Sequence, residues 1–461
     1  MPKKIPKITV YMPNFNYGDY IEEAITSIKK QVFKDWELII IDDGSTDDSL
    51  KILEKYSDDE KITVIKQKNQ GLNITNNVAI RLSRGRYIVR VDADDYVDEN
   101  FLTVLSSVLD DKPHIGLVFP DYHHVDPDGN ILETIRREKI TNEDELLDLP
   151  AHGACTMYRK EILQNLGSYS EEFTCQDGYD IWIRFIEKYK PYNINIPLFY
   201  YRQHSSNLTK SSQKILDTRG AIKKKFVESR SNLHIKVLGL VLVHQSSIYK
   251  QNGPFVQVNN KNLIDYILDE SMQSEFLTDI AVSSSDLNVK KYLEESYPNT
   301  LFAEREKKLS SFDANTIDIV DDALEKVEKN TEKKYDAVCI LSISTPLLKS
   351  KHIDHAVNTL QVFQVDSVRS ISEEFAPCFN HDSNGLVGIN ISDGKSPRLE
   401  RNSIYKDNGA ILLTSRECIK NKILTGDKVS HITMLEEESV KINSDYEFWL
   451  AEKIISEWNV Q

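Results

Sequence analysis

Acidic side chains follow two apolar, strand-like stretches in the first half of the chain. Asp42 comes directly after WELIII, and Asp92 and Asp94 come directly after RYIVRV. Alternate residues of a strand point to the same face, so Asp92 and Asp94 can converge on one ligand. Two carboxylates suit Mg²⁺ or Mn²⁺, with diphosphate oxygens completing the coordination shell. The alternative interpretation is that these acids cap helices or form Asx turns.

The net charge of the chain bears on how it would bind a phosphate ligand. Its 461 residues include 57 Lys and Arg against 72 Asp and Glu, which gives a formal charge of −15. This acidity argues against nucleic acid as a partner, because binding a duplex needs a concentrated basic face. We expect a phosphate-rich nucleotide to be held instead through a divalent metal, backbone amides or a few placed Arg and Lys side chains.

Strands and helices must position these acids. The sequence indicates two successive series of strands and helices. The first 230 residues alternate short β-branched runs with amphipathic helical patterns, which predicts βαβ units, a parallel sheet and ligands beyond the carboxyl ends of its strands. Residues 211–232 are charged and poor in strand formers, and KVLGLVLVHQ then begins a second series. We therefore predict two α/β domains, at residues 1–230 and 231–461. Because their motifs differ, the halves are not interpreted as a tandem repeat.

The sequence also bears on the compartment. No stretch approaches the roughly 18 consecutive apolar residues of a membrane span, and MPKKIPKITVYMP contains no signal-peptide core. The five cysteines are odd in number and widely spaced, which is typical of reduced thiols. We predict a cytoplasmic protein without an integral membrane segment. Peripheral contact with the inner face of the membrane and oligomerisation both stay open.

Six sequence blocks, in this order, resemble the family-2 glycosyltransferases of the GT-A fold, and the resemblance covers residues 7–210. The blocks are ITVYMPNFN, IIIDDGSTD, NQGLNITNN, RGRYIVRVDADD, CQDGYDIWIR and FYYRQHSSNLT. The resemblance implies an enzyme of polysaccharide synthesis that transfers a sugar, with inversion, from a nucleotide-sugar donor to a hydroxyl. The donor would most often be UDP-linked, and the acceptor would be a glycan or a lipid-linked sugar.

The same resemblance implies roles for residues on the donor side. Tyr11 and Pro13 would line the nucleotide pocket, and Asp42 would form a hydrogen bond with the base. Asp92 would contact the ribose or the metal, and Asp94 would be the main ligand of Mg²⁺ or Mn²⁺. These roles agree with the chemistry of hard carboxylate oxygens.

On the acceptor side, the resemblance makes Asp177 the general base. Asp180 is the fallback, since residues three apart share one face of a helix. His204 matches a late histidine near the metal or diphosphate, although a lone histidine is equally well explained as a structural residue. His152 and Gly153 lie in a stretch that resembles the acceptor-side segment of the family.

The second half resembles the cytidylyltransferases that activate acylneuraminate-type sugar acids, over residues 234–461. Its blocks are KVLGLVLVHQSSIYKQNGPF, LTDIAVSSSD, YDAVCILSISTPLLKS, VDSVRSISEEF, IYKDNGAILLTS and KINSDYEFWLAEKI. The resemblance implies a Rossmann-like α/β fold. Candidate ligand-binding residues are Lys250, Arg305, Ser344 and Asn408, each of which packing could explain as readily.

The chemistry implied for this half is incomplete. The loop His244–Gly253 carries one cation, where the family has several that cradle a triphosphate. The acidic segment that holds magnesium in the family appears as Ile442–Glu447, and an amide there cannot supply a carboxylate's charge. The missing cations favour a non-catalytic domain. Two alternatives stay open for the whole chain. One is a bifunctional enzyme that also makes a CMP-activated sugar acid from CTP, and the other is a non-catalytic scaffold in which both halves bind nucleotide sugars or partners without turnover.

Overall fold

The structure, a computed structural model, divides the chain into two compact units. The first comprises Met1–Arg219 and Cys378–Arg401, and the second comprises Gly220–Pro377 and Asn402–Gln461. The structure describes residues 4–137, 140, 147–204, 212–230, 233–243, 253–311, 313–374, 376–383, 385–389 and 404–458. Within these ranges, no helix combines the length and the apolar character needed to cross a membrane.

A mixed sheet forms the centre of the first unit and has nine strands among the described residues. The strands are β1 (Ile8–Asn14), β2 (Trp36–Asp42), β3 (Ile62–Lys66), β4 (Tyr87–Arg90), β5 (Tyr96–Val97), β6 (Ile115–Val125), β7 (Ile131–Ile135), β8 (Met157–Arg159) and β9 (Lys190–Arg202). Their order is β3-β2-β1-β4-β8-β6-β9-β5, and β7 pairs with β6. The four strands β1 to β4 are parallel, as predicted, whereas β8 is antiparallel to both of its neighbours.

Helices cover both faces of this sheet. They are α1 (Ile21–Lys29), α2 (Ser49–Leu53), α3 (Leu72–Leu82), α4 (Phe101–Asp111), α5 (Lys160–Asn165) and α6 (Asp177–Ile186), and α7 (Ser212–Glu228) spans the division between the units. Every residue of β1 and β2 is buried, which explains their continuous apolar runs. Val10 and Met12 belong to the core on one face, and Tyr11 belongs to the core on the other.

The second unit contains a mixed sheet with seven described strands. The strands are β10 (Val237–Leu242), β13 (Asp279–Ser284), β14 (Leu301–Glu304), β15 (Ala337–Ser342), β16 (Ser367–Glu374), β19 (Ile404–Ser415) and β20 (Val429–Thr433). Two separate hairpins pair β11 (Gln257–Val258) with β12 (Lys261–Asn262) and β17 (Phe379–Asp382) with β18 (Gly385–Gly388). The helices are α8 (Leu263–Gln273), α9 (Leu287–Ser296), α10 (Thr316–Thr331), α11 (Ser350–Phe363), α12 (Arg416–Lys420) and α13 (Asp445–Lys453).

The two sheets share one strand order. In the second unit the order is β14-β13-β10-β15-β19-β16-β20, which corresponds strand by strand to β3-β2-β1-β4-β8-β6-β9. In each sheet four parallel strands are followed by one antiparallel strand and then by two strands that are parallel to each other. The prediction of α/β architecture is confirmed, but the predicted parallel sheet is mixed, because a later strand inserts in the opposite direction.

Candidate functional site

Asp42 lies at the carboxyl end of β2, beside Asn14 at the end of β1. Its carboxylate accepts hydrogen bonds from Asn14 Nδ2 at 2.8 Å and from the backbone N of Ser45 at 3.0 Å. The side chain is buried. These contacts are those of an Asx-type turn, so the structure gives Asp42 a local role, and its predicted contact with a base stays a prediction.

Asp43, the next residue, organises the approach to α3. Its carboxylate accepts hydrogen bonds from Gln67 Nε2 at 2.7 Å and from the backbone N of Gln70 and Gly71 at 2.9 and 2.8 Å. Gly71 has a φ of 90°, a conformation that a side chain would disfavour. The sequence analysis gave Asp43 no role, although its place at the end of the same strand was a usable signal.

Three carboxylates converge in the turn that follows β4, two of which, Asp92 and Asp94, were expected to converge as alternate residues of a strand. Oxygen atoms of Asp92, Asp94 and Asp95 all lie within 4.8 Å of one another. Burial, together with the nearby charges of Asp94 and Asp177, raises the pKa of Asp92 to about 6, although Arg90 lowers it. Burial and the two neighbouring acids also raise the pKa of Asp95 well above its usual range.

This cluster has the properties expected of a cation site. Among the described residues, no hydrogen-bond donor reaches Oδ2 of Asp95, which is buried. Burial and the neighbouring acids raise the pKa values of Asp92 and Asp95 although Arg90 and Arg202 lower them, so a further positive charge would favour the ionised forms. Hard carboxylate oxygens at this spacing fit Mg²⁺ or Mn²⁺. Asp95 was not singled out from the sequence, although it adjoins Asp94.

His204 lies beside the acidic cluster. Its Nε2 is 2.9 Å from Oδ2 of Asp94. The imidazole ring stacks on Tyr20, with centroids 5.4 Å apart, and meets the edge of Tyr17 at 5.8 Å. Burial and the charges of Asp94 and Asp92 raise the pKa of Tyr17. The structure therefore brings His204 and Asp94 together, as the predicted metal site requires.

Arg202 supports the backbone of this cluster. Its guanidinium donates from Nε to the carbonyl of Asp94 at 2.9 Å and from Nη1 to the carbonyl of Pro127 at 2.6 Å. Nη2 forms an ion pair with Glu23 at 2.6 Å. The side chain is 2% exposed, so its observed contacts are those of a scaffold.

Asp177 is the first residue of α6 and is buried. It forms an ion pair with Arg90 Nη1, and Asn76 Nδ2 lies 3.3 Å from its carboxylate. Arg90 Nε also lies 2.9 Å from Oδ1 of Asp92. The structure therefore connects Asp177 to the acidic cluster through one arginine, which the sequence analysis missed.

Asp180 has a separate structural partner. It forms an ion pair with Arg184 of the same helix. Arg184 Nη2 also donates to the carbonyl of Ser168 at 2.8 Å, and Nη1 donates to the carbonyl of Leu166. Asp180 therefore helps to attach α6 to the loop after α5.

Tyr11 and Pro13 are both buried residues of β1. The hydroxyl of Tyr11 is 3.3 Å from that of Tyr169, and the ring packs in the core. Burial and Tyr169 raise the pKa of Tyr11. The described contacts of Tyr11 are therefore those of a core residue, and the predicted nucleotide contacts of both residues stay predictions.

His152 and Gly153 lie next to Arg90 and α6. His152 Nδ1 accepts a hydrogen bond from the backbone N of Ala154 at 3.2 Å, and burial and the charge of Arg90 lower its pKa to about 3. The ring is therefore neutral at pH 7. A Cβ added to Gly153 would lie 3.1 Å from Arg90 Nη2 and 3.8 Å from the Cα of Gly178.

The candidate residues of the second unit take part in structural hydrogen bonds. Arg305 donates from Nη2 to the carbonyl of Ser283 at 2.7 Å, and burial lowers its pKa to about 10. Asn408 Oδ1 accepts from Ser370 Oγ at 2.6 Å. Ser344 is buried, and its carbonyl accepts from the backbone N of Ile442 at 2.8 Å. Lys250 and residues 244–252 lie outside the described residues.

The segment Ile442–Glu447 forms the N-terminus of α13. Ser444 is its N-cap, and the Glu447 carboxylate accepts from Ser444 Oγ at 2.8 Å and from the backbone N of Asn443 at 3.0 Å. Glu447 therefore takes part in the start of a helix, whereas the sequence analysis compared the segment with a magnesium site. Among the described residues, the acids after β4 are the one group of three or more possible metal ligands.

Comparisons with known proteins find relatives of this chain. Residues 9–167 match the family model described as Glycosyl transferase family 2. A chondroitin synthase of Escherichia coli is 28% identical over 236 residues, which cover 51% of this chain and 34% of that protein. A hyaluronan synthase of Pasteurella multocida is 24% identical over 308 residues, which cover 65% of this chain and 29% of that protein. The chain therefore spans about a third of the length of these two relatives.

One solved structure that resembles the chain is that of S. aureus TarS 1-349 in complex with UDP-GlcNAc. It is 15% identical in sequence, and the similarity covers 87% of this chain and 99% of that one, with a TM-score of 0.41.

Proposed function

On the premise that residues 9–167 form a glycosyltransferase family 2 domain, we propose that this chain is a GT-A-type enzyme that transfers a sugar from a nucleotide-sugar donor. The donor is a UDP-sugar, and the acceptor is a hydroxyl of a glycan or of a lipid-linked sugar. The observation that carries the proposal is the convergence of Asp92, Asp94 and Asp95, together with the contacts of Arg90 that connect Asp92 to Asp177. A glycan acceptor is also supported by the names of the two relatives, a chondroitin synthase and a hyaluronan synthase.

The donor side of the proposed site is the acidic cluster. Asp92, Asp94 and Asp95 would hold Mg²⁺ or Mn²⁺, with His204 beside Asp94 as a further ligand. A bound ion supplies positive charge that stabilises the diphosphate as it leaves. The grouping of the acids supports this assignment, because a cation favours the ionised form of Asp92, which burial and the charges of Asp94 and Asp177 disfavour.

Asp177 is the proposed general base. Its carboxylate accepts the proton of the acceptor hydroxyl while that oxygen attacks the anomeric carbon. Attack from the side opposite the diphosphate inverts the configuration at that carbon. Both Asp177 and Asp180 are paired with an arginine, and Asp177 is preferred because its partner Arg90 also contacts Asp92 of the cluster that would hold the donor. Arg184, the partner of Asp180, instead binds carbonyls of the loop after α5.

For the second half, we propose a cytidylyltransferase-like domain that does not catalyse nucleotidyl transfer, with the two domains at residues 1–230 and 231–461. The structural hydrogen bonds of Arg305 and Asn408 support this proposal. So does the absence, among the described residues of this half, of an acidic group comparable to the one after β4.

The experiment that tests the transferase uses the full chain, Mn²⁺, a panel of UDP-sugars and glycan acceptors. We expect Asp94→Ala to lower the transfer rate at least about 100-fold, because it removes stabilisation of the leaving charge. Asp177→Asn should lower it by about 10²- to 10⁴-fold, as expected for loss of a general base. Asp59→Asn is the matched control, since Asp59 pairs with Lys29 outside the site. Full activity of either site variant contradicts its assigned role.

A second experiment tests the other half of the proposal. The full chain is incubated with CTP, Mg²⁺ and a sialic-acid-like sugar, and pyrophosphate is measured. We expect no release above that of a protein-free control. Release that depends on the sugar acid would show a bifunctional enzyme instead.

A further inference from the structure

A single buried cation lies between the proposed donor and acceptor sides of the site. Arg90 is the last residue of β4 and is 5% exposed. Its Nη1 donates to Oδ2 of Asp177, while Nε and Nη2 lie 2.9 and 3.3 Å from the two carboxylate oxygens of Asp92. The same guanidinium therefore contacts two acids that come from different parts of the chain.

This arrangement requires an arginine. The guanidinium is planar and offers donors in fixed, divergent directions, so it can bind two carboxylates at once. A lysine ammonium is a compact point charge at the end of a flexible side chain, and it cannot fix both partners in the same way. Removal of the cation would leave the buried carboxylate of Asp177 and the half-buried carboxylate of Asp92 without this compensating charge, which is unfavourable.

Two glycines and one backbone hydrogen bond hold the arginine in place. The carbonyl of Arg90 accepts from the backbone N of Cys155 at 2.7 Å. A Cβ on Gly153 would lie 3.1 Å from Arg90 Nη2, and a Cβ on Gly178 would lie 3.0 Å from the Cα of Gly153. The start of α6, the segment before β8 and the guanidinium are therefore in close contact. This packing restricts the positions that Asp177 can adopt.

We propose that Arg90 is a positioning residue that fixes Asp177 relative to Asp92. The inference rests on the proposed function, in which Asp92 belongs to the donor site and Asp177 activates the acceptor. Inverting displacement requires the attacking oxygen, the anomeric carbon and the leaving oxygen to lie nearly in line. Because Arg90 contacts an acid on each side of this line, it sets the separation and direction on which the attack depends.

The test measures kcat and KM for transfer in Arg90→Met and Arg90→Lys. We expect Arg90→Met to lower kcat about 100-fold with a smaller change in the KM of the donor, since misplacing a catalytic group by an ångström has effects of this size. Arg90→Lys should recover at least about tenfold of that loss, because it restores the charge without the second contact.

A double-mutant cycle with Asp177→Asn separates positioning from general structural support. If Arg90 acts through Asp177, Arg90→Met should change kcat less than about fivefold in the Asp177→Asn background, because residues that act as a unit have non-additive effects. The same 100-fold loss in both backgrounds would overturn the proposal, and so would an unchanged kcat in Arg90→Met alone.

The matched control is Arg84→Met. Arg84 also binds a buried carboxylate, that of Glu37, through Nε at 2.7 Å and through Nη2, but it does so at the amino end of β4. We expect the melting temperature to fall in both variants and kcat to fall only in Arg90→Met. Equal losses of kcat in the two variants would assign Arg90 to stability alone.

Different experimental results would contradict this inference and the proposed function. Absence of transfer by the native chain with every donor contradicts the proposed function. Transfer by the native chain together with an additive cycle contradicts only the role of Arg90. The cycle is also measured on the melting temperature, where Arg90→Met should be less destabilising in the Asp177→Asn background. Equal melting-temperature losses in the two backgrounds would overturn the pairing of Arg90 with Asp177.

Discussion

At the carboxyl end of β4, the first unit carries Asp92, Asp94 and Asp95, whereas at the carboxyl end of β15 the second unit carries Ser344 and Thr345. The two strands occupy the same place in sheets of the same order. Hydroxyl groups lack the negative charge that attracts a divalent cation. Two sheets of the same strand order therefore carry different groups, carboxylates in one and hydroxyls in the other, at the edge where α/β sheets bind ligands.

The pKa values of acids in the two units are also shifted in opposite directions. Asp92 lies among other acids, and burial raises its pKa to about 6. Burial also acts on Glu328 and Glu438 in the second unit, but hydrogen bonds from Arg416 and His352, respectively, lower their pKa values to about 2. The paired acids of the second unit stabilise the fold at neutral pH, whereas at Asp92 burial and the neighbouring acids outweigh the effect of Arg90, so its ionised form opposes folding. A cluster maintained at such a cost is a candidate site for function.

The largest effect is expected when a carboxylate after β4 is replaced by the hydroxyl found at the same place in the second sheet. Asp92→Ser places at this strand end the hydroxyl that Ser344 supplies in the other sheet. We expect transfer to fall on the order of 100-fold or more, because a hydroxyl cannot replace the charge of a metal ligand. The control is Asp286→Ser, at the N-cap of α9, where serine is an equally good cap. Similar losses in the two variants would remove the contrast between the units.

The next largest effect concerns metal binding, which we expect at the acids after β4 and not at the corresponding edge of the second sheet. A ligand that binds only the folded state stabilises it by about 2.7 kcal/mol at a concentration 100 times its Kd. We expect Mn²⁺ to raise the melting temperature of the native chain and of Asp59→Asn, but not that of Asp94→Ala. An undiminished shift in Asp94→Ala would place the metal elsewhere.

The ion pairs of the second unit predict a dependence of stability on pH. Hydrogen bonds from Arg416 and Lys334 lower the pKa of Glu328 from its usual value of 4.5 to about 2, so its contribution is complete above pH 4.5 and is lost as the pH falls towards 2. We expect Glu328→Gln to lower the free energy of unfolding by about 2 kcal/mol at pH 7, and by progressively less below about pH 4.5. Urea unfolding at several pH values measures this difference.

Glu325→Gln on the same helix is the control, because Glu325 is exposed. Its effect should stay within about 0.5 kcal/mol at every pH. A constant effect of Glu328→Gln between pH 7 and pH 3 would contradict the assigned ion pair.

Much of the fold could be predicted because its signals are local. The apolar runs of β1 and β2 and the helical patterns between them indicate parallel strands joined by helices. The antiparallel strand β8 has three residues, Met157–Arg159, which are too few to show a period. The common order of the two sheets was equally hidden, because it depends on pairings between distant strands and not on shared motifs.

The residues of the candidate site also differ in how far the sequence could predict their positions. Convergence of Asp92 and Asp94 was predicted from their spacing of two residues on a strand. In the structure β4 ends at Arg90, and the acids converge in a turn closed by a hydrogen bond from the backbone N of Asp95 to the carbonyl of Asp92. The pairing of Arg90 with Asp177 joins residues that are 87 positions apart, and only the packing of α6 against β4 brings them together. Arg90 stands two positions before Asp92, so the same spacing rule could have drawn attention to it.

The smallest effect concerns the segment Ile442–Glu447. Its sequence contains the signal of a helix start, although it was compared with a magnesium site. Ser444 and Glu447 have the spacing of an N-cap serine and the glutamate three residues later, which is a recognised helix start. We expect Ser444→Ala to lower the free energy of unfolding by about 1 kcal/mol, with no change in transfer or in the shift produced by Mn²⁺.

Ser444→Asp is the informative companion to this change. Aspartate caps a helix as well as serine does, so stability should be preserved if the segment is only a helix start. If the segment were instead the remains of a metal site, the added carboxylate should strengthen the response of the melting temperature to Mn²⁺. Preserved stability with an unchanged response would assign the acids of this segment to the fold, in contrast to those that follow β4.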